Sequence, residues 1–240
     1  VEYPICEIFG PTIQGEGYHI GTQTHFVRFA GCDFSCSWCD TKYAVNPSNV
    51  GWSKVMMTEG DILESLNDLG GSPKWVTLSG GNPALFVTDG LISSIGHNGH
   101  SVALETQGTA FGDWAFNDFL TELTISPKPP SSGMSSWYEG RLDQMIRVAY
   151  QRTRRSLHTT FKFVVFDTKD LVWVKSFVRT IGLLGDRVIT VGTPQDEPTP
   201  GELLAMTRAL ISMIQDNYFF GDFRILPQLH VLLYGQRRGI

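Results

Sequence analysis

Six short stretches of the chain carry apolar residues at strand spacing: THFVRFA (24–30), KWVTLS (74–79), SVALET (101–106), ELTIS (122–126), FKFVVF (161–166) and RVITV (187–191). Each is rich in β-branched or aromatic residues and is bounded by glycine, proline or small polar residues, so each predicts a strand. Helical patterns lie between them. TEGDILESLNDLGG opens on Thr58 with an acid three positions on and closes on glycine, the punctuation of a helix between two strands. In TPGELLAMTRALISMIQDN, Thr199 caps, Pro200 suits the first helical position, Glu202 completes a capping box, and Leu203, Met206, Leu210 and Met213 are expected to form the core face.

Strands alternating with helices imply a parallel βα architecture, either an open doubly wound sheet or a partial barrel, and periodicity alone does not choose between them. In both, ligands gather at the carboxyl ends of the strands. The polar and glycine-rich pieces of this chain do follow the strands: GCDFSCSWCDT, GGNP, TQG, PKPP and TPQDEP. No internal repeat, low-complexity tract or linker interrupts residues 1–240, which predicts a single domain. The stretch PPSSGMSSWYEG (129–140) reads as a mobile loop.

Composition narrows the class. Hydrophobic residues make up 42% and charged ones 18% of 240 residues. No apolar run approaches the roughly 18 residues of a membrane span, so a soluble protein without a membrane partner is expected. VEYPICEIFG has no basic stretch leading into a long apolar one, so no secretory signal is expected. The net charge of −5 argues against a polyanion partner, hence no nucleic acid, and the basic spots QRTRR (151–155) and QRRG (236–239) read as solvated surface. Four cysteines, three of them clustered, do not make a disulfide scaffold and suggest thiolates kept reduced for a metal in the cytoplasm.

Cys32, Cys36 and Cys39 are spaced C-x3-C-x2-C. Structural zinc usually takes four protein ligands, in short-spaced pairs or a pair with histidines, and no second pair exists here. Cys6 is the remaining thiol, and His25 sits within a predicted strand. Three thiolates on a 4Fe-4S cluster, by contrast, leave one iron open to a small molecule that can be reduced there. A zinc-stabilised interaction protein is the alternative from another class, and the metal content of anaerobically purified protein separates the two.

The motif C-x3-C-x-aromatic-C after a strand, with Trp38 at the aromatic position, resembles the radical S-adenosylmethionine superfamily, and LSGGNP (78–83) resembles its glycine-rich motif. EIFGPTIQGEGYHIGTQTHFVRFAGCDFSCSWCDTKY is similar to the opening of the 7-carboxy-7-deazaguanine synthase family. LSGGNPAL, LETQGT, ISPKPPSSG, FKFVVF and LPQLHVLLYGQRRGI extend the likeness along the whole chain. The resemblance implies an incomplete (β/α) barrel of about six parallel strands, a (β6/α3)-like radical core. It also implies a carbon–nitrogen lyase that contracts 6-carboxy-5,6,7,8-tetrahydropterin to 7-carboxy-7-deazaguanine on the route to queuosine. The implied cofactors are a 4Fe-4S cluster, S-adenosylmethionine and Mg2+; the implied partners are an electron donor such as flavodoxin or ferredoxin and a second copy in a homodimer. A glycyl-radical-enzyme activase shares the cysteine loop and the GG motif but does not call for TIQGEG, for the threonine after CD, or for QLH near the end.

Site residues carry over by position. Cys32, Cys36 and Cys39 would ligate the cluster, and Trp38, Cys39, Asp40, Gly81, Asn82, Ser126, Pro127, Lys128, Pro194, Gln195, Asp196 and Glu197 would meet S-adenosylmethionine. Ile13, Gln14, Gly15, Glu16, Arg28, Ser79, His230 and the main-chain carboxylate of Ile240 would meet the pterin, with the Arg28 fork on its carboxylate. Read without the family, Glu16 and Arg28 are a structural ion pair and His230 a packed histidine on a strand. Thr41 would be a magnesium ligand on a sparsely coordinated hard ion, or, read without the family, a cap. Asn82 stands where the superfamily often has a carboxylate, which implies weaker cofactor binding.

Overall fold

The computed structural model describes residues 1–182, 184–193, 198–235 and 237–239. Among these residues nine strands form one sheet. In chain order they are β1 (Glu2–Ile13), β2 (Gln23–Phe29), β3 (Val55–Thr58), β4 (Trp75–Gly80), β5 (Ser101–Thr106), β6 (Leu120–Ile125), β7 (His158–Val165), β8 (Asp186–Val191) and β9 (Arg224–Leu226). The spatial order is β3-β1-β2-β4-β5-β6-β7-β8-β9. From β2 through β4 to β9 every pairing is parallel, whereas β1 runs antiparallel to both β2 and β3. The sheet does not close, since β3 and β9 are its two edges. The incomplete barrel expected from the sequence is therefore the observed architecture, its six expected parallel strands being β2 and β4 to β8.

Three strands escaped the pattern. β1 is interrupted by Pro4, Gly10 and Pro11, and its pairing with β2 slips between Ile5 and Glu7 and again between Phe9 and Thr12. Such bulges break the two-residue alternation that a sequence reading relies on. β3 and β9 are four and three residues long, too short to carry a period.

The helices are α1 (Glu59–Asp68), α2 (Asp89–His97), α3 (Asp143–Arg154), α4 (Thr168–Ile181), α5 (Pro200–Ile214) and α6 (Leu229–Tyr234). Both expected capping boxes form: Thr58 with Asp61 and Thr199 with Glu202 each exchange side-chain and backbone bonds, satisfying donors that a helix start otherwise leaves open. The core face of α5 is corrected to Leu203, Thr207, Leu210 and Ile214, while Met213 is 56% exposed. At 100° per residue a run ending ten positions on drifts about 80° off the starting direction, whereas one ending eleven positions on returns to it. Met206 lies between, partly buried against the core.

Two further expectations change. The stretch 129–140 is a loop, but a packed one: two 3₁₀ turns bury Ser132 and Tyr138, and the Tyr138 hydroxyl donates to the Gln107 carbonyl at 2.8 Å. In the basic spot 151–155, Arg152 is fully buried, not solvated. Its guanidinium donates to the carbonyls of Ala115, Leu120 and His158 and to Thr159 Oγ1, tying α3 to the starts of β6 and β7. Among the described residues no helix is long and apolar enough to cross a membrane.

Candidate active site

The core that fills the sheet leaves a cavity of about 230 Å³ lined by both polar and apolar residues. Its mouth is built by the residues following the parallel strands, as the architecture predicts: Cys32 to Thr41 after β2, Gly81 after β4, Gln107 after β5, Ser126 and Lys128 after β6, Phe166 after β7 and Thr193 after β8.

The floor has a different origin. β1 is antiparallel to β2, so the segment after Ile13 leaves at the opposite end of the sheet and must turn inward to reach the cavity. It does so as a tight loop in which Gln14 N donates to Thr22 O at 2.8 Å and Gly21 N donates to Gln14 O at 2.7 Å. Gln14, Gly15 and Glu16 thereby face Glu105 of β5 and Lys162 of β7 inside the sheet. Gln14 Nε2 donates to Glu105 Oε1 at 3.0 Å. Lys162 Nζ lies 2.5 Å from Glu16 Oε2, and Gln228 Nε2 donates to Glu16 Oε1 at 2.8 Å. Gly15 is glycine because His230 of α6 rests against its α-carbon; a β-carbon there would fall 2.6 Å from the imidazole Cγ.

Charge in this floor is settled by pairing. Burial would raise the Glu16 carboxyl, but Lys162, then His230 and the bonds from Lys162 and Gln228 hold it down at about 2. Burial would likewise lower Lys162, and Glu16 followed by Glu105 raises it instead. The ion pair read for Glu16 and Arg28 exists for each residue, but not between them. Arg28 pairs with Glu7 at 3.2 Å, donates from its guanidinium to the Tyr43 hydroxyl oxygen, and stacks 5.2 Å from the Phe9 ring centre. Its buried Nε has no hydrogen-bond partner among the described residues. Ser79 pairs with Arg28 in register across β4 and β2, which brings both to the same cavity wall.

The three thiols stand at the mouth, all partly buried. Burial pushes each of them up, Cys39 to about 12, with Lys128 opposing the shift in all three. Cys32 Sγ accepts from Phe34 N at 3.4 Å and from Gln107 Nε2 at 3.5 Å. Three sulfurs served by N–H donors and a nearby ammonium fit an electron-rich thiolate cluster. Cys6 packs elsewhere, against Ala30 and Ala44. Among the described residues no three His, Cys, Asp or Glu side chains converge on a single-ion site. Beside the thiols, Trp38 lies 5.4 Å from Phe166 and 5.6 Å from Lys128 Nζ, and its Nε1 donates to Ser131 Oγ. This wall of aromatic rings and one cation fits a nucleoside carrying a carboxylate.

Most of the expected site residues meet here: Ile13, Gln14, Gly15, Glu16, Arg28, Ser79, Gly81, Trp38, Asp40, Thr41, Ser126, Lys128 and His230 all line the cavity. Thr41 precedes a 3₁₀ turn without capping it; its hydroxyl donates to Asp40 Oδ1 at 2.6 Å. His230 sits on a helix, not on a strand. Pro127 is buried behind the wall. Asn82 is the clear departure. It is fully buried beneath the cavity, donates to Asp33 Oδ1 at 2.9 Å and Thr109 Oγ1 at 3.0 Å, and accepts from Thr106 Oγ1 at 2.8 Å. Its amide thus joins the cysteine loop to the end of β5. Pro194, Gln195, Asp196, Glu197 and Ile240 lie outside the described residues.

Sequence reasoning missed Glu7, Tyr43, Glu105, Gln107, Lys162, Phe166, Thr193 and Gln228. A signal existed for two of them: Lys162 and Glu105 are charges inside apolar strand runs, where a buried charge needs a partner.

An open parallel sheet with three thiols and a glycine-rich loop at its strand ends is the layout of the radical S-adenosylmethionine class. The chain is 40% identical over 248 residues to 7-carboxy-7-deazaguanine synthase of Bacillus subtilis (strain 168), covering 99% of this chain and 98% of that protein. It is 37% identical over 243 residues to the Bacillus cereus protein of the same name, with 99% and 98% covered. Among solved structures, QueE from Escherichia coli superposes with a TM-score of 0.70 at 23% identity over 95% of each chain. The Streptococcus suis SuiB structure with precursor peptide SuiA matches at a TM-score of 0.54 and 14% identity, over 85% of this chain and 48% of that one. No family model matches. This chain belongs to the 7-carboxy-7-deazaguanine synthase family.

Proposed function

We propose that the cavity carries out the radical ring contraction of 6-carboxy-5,6,7,8-tetrahydropterin to 7-carboxy-7-deazaguanine. The substrate loses the elements of ammonia and nothing else, so the change is redox-neutral and, as a carbon–nitrogen cleavage, a lyase reaction. The observation that carries the reading is the meeting, in one cavity, of three thiols at the mouth with a hydrogen-bonding floor of Gln14, Glu16 and Glu105.

Cys32, Cys36 and Cys39 would hold a 4Fe-4S cluster, and Trp38, Asp40, Gly81, Ser126 and Lys128 would hold S-adenosylmethionine beside it. Bound together, these groups supply a reducing electron and a primary carbon radical. The chain does the rest by position. Glu16 and the Gln14 amide face the N–H edge of the pterin from the floor. Arg28, turned by Glu7 and Tyr43, offers to the substrate carboxylate the Nε that has no partner among the described residues. Ser79 completes that wall, and His230 lines the cavity beside Gly15. Thr41 would contribute its hydroxyl to Mg2+, with water and substrate oxygens filling the shell. The chain would act as one catalytic domain, in a cytoplasmic homodimer reduced by a flavodoxin or ferredoxin, on the route to queuosine.

Anaerobic incubation with the carboxypterin, S-adenosylmethionine and a reductant tests the reading. The expected result is the deazapurine and ammonia in equal amounts, with S-adenosylmethionine not consumed in proportion to product. Cleavage of the cofactor without deazapurine would overturn it.

A further inference from the structure

Lys162 sits between Phe161 and Phe163 in the apolar second half of β7, and its side chain is 7% exposed. A buried ammonium persists only where anionic or accepting groups replace its water. Its Nζ is directed at Glu16 Oε2, while Gln228 Nε2 holds the other carboxylate oxygen and Gln228 is itself held by Thr193. Glu16 is thus clamped at both oxygens, from β7 on one side and from the turn before α6 on the other. The remaining lone pairs of that carboxylate are the ones free to face the cavity.

We propose that Lys162 is a positioning residue for substrate recognition: it keeps Glu16 a fixed, ionised acceptor for the N–H groups of the bound heterocycle, without touching the substrate itself. This inference rests on the reading of Glu16 as a substrate contact. The groups facing Glu16 are Lys162 on β7, His230 and Gln228 at α6, and Gln14 on its own segment; Glu105 on β5 and Asp40 in the cysteine loop act on it through Lys162. Of these, Lys162 is the strongest influence favouring the anion. Without it burial dominates, so Glu16 takes up a proton as the pH falls and loses acceptor capacity.

The test is substrate affinity by anaerobic calorimetry on reconstituted protein, at about pH 6 and about pH 8, each variant read against the wild type at the same pH so that pH effects common to both cancel. Glu16→Gln is expected to weaken binding by about tenfold or more at both pH values. Lys162→Met should fall further below wild type at about pH 6 than at about pH 8, a dependence that a merely structural lysine would not produce. Lys162→Arg should restore wild-type behaviour at both. The double variant Glu16→Gln/Lys162→Met removes both members of the buried pair, so it is the variant to use should Lys162→Met fail to fold, and it should bind no more weakly than Glu16→Gln alone. A double variant weakened by the product of both single effects would overturn the proposal, because the lysine would then contact substrate directly. So would Lys162→Met binding like wild type at both pH values. An unaffected Glu16→Gln would instead sink the reading of Glu16 itself.

Discussion

Replacing Gly81 by alanine probes the joint on which the thiol loop is hung. The backbone of Gly81 lies flat against that of Gly31, the residue before the first cysteine: Asn82 N donates to Gly31 O at 2.8 Å, Gly81 N to Phe29 O at 2.9 Å, and Gly31 N to Ala44 O at 2.7 Å. A β-carbon on Gly81 would fall 2.5 Å from the Gly31 carbonyl carbon and 2.9 Å from Ala44 O, where ordinary contact begins at 3.4 Å. All the opposing atoms are backbone, so no side chain can swing away. The two loops must part by about 1 Å, stretching two or three hydrogen bonds worth about 1 kcal/mol each, with overpacking strain on top. A loss of about 2–4 kcal/mol is expected, or roughly 4–16 °C in Tm for a chain of this size. Because Cys32 follows Gly31 directly, the same displacement moves a thiol. Iron and sulfide per chain after anaerobic reconstitution should fall well below wild type. Gly60→Ala in the first turn of α1 is the control, since its β-carbon would meet nothing nearer than Thr58 Oγ1 at 3.7 Å. If Gly81→Ala kept both its unfolding midpoint and its iron content, the close approach would not be what requires glycine there.

Three other substitutions follow from the structure. Arg152→Met strands three carbonyls and a hydroxyl and should cost about 3–5 kcal/mol in urea unfolding, partly offset by the apolar side chain; an unchanged midpoint would mean those acceptors have other partners. Asn82→Glu forces a methylene and a negative charge into a fully buried site beside Asp33, so it should lower stability by about 2–4 kcal/mol rather than tighten S-adenosylmethionine binding, which calorimetry and unfolding together decide. His158 is raised by its bond to Glu122, against burial, with Asp186 also 3.5 Å away. A histidine whose folded value lies above its unfolded one adds stability at low pH that is lost as pH rises through the folded value. The deficit of His158→Gln relative to wild type should therefore be larger at about pH 6 than at about pH 8.5, and a constant deficit would argue that the ring matters only by packing on Tyr18.

The parallel core and the thiol mouth were legible because each rests on neighbours in sequence. Strand runs, the two capping boxes and the C-x3-C-x2-C spacing are set within a few residues, where chain connectivity already limits what can meet. Where the pattern misled, tertiary packing had overruled it. Arg152 looked like part of a solvated basic run until carbonyls from three other segments enclosed it. Asn82 bonds to Asp33, Thr106 and Thr109, which no local reading of LSGGNP shows.

The floor of the cavity lay beyond any local reading. Glu16 meets Lys162 across 146 positions and Gln228 across 212, and Arg28 is held by Glu7 and Tyr43 on two other segments. The sequence by itself determined the strands, the helix starts and the three thiols, since local sterics and hydrogen bonding favour them before any long-range contact forms. Which charges are buried together, and hence which of them remain ionised to face a substrate, was decided only when an antiparallel first strand turned its following loop into the open barrel. That choice depends on desolvation and Coulomb energy between distant residues, quantities that have no value until the chain has folded.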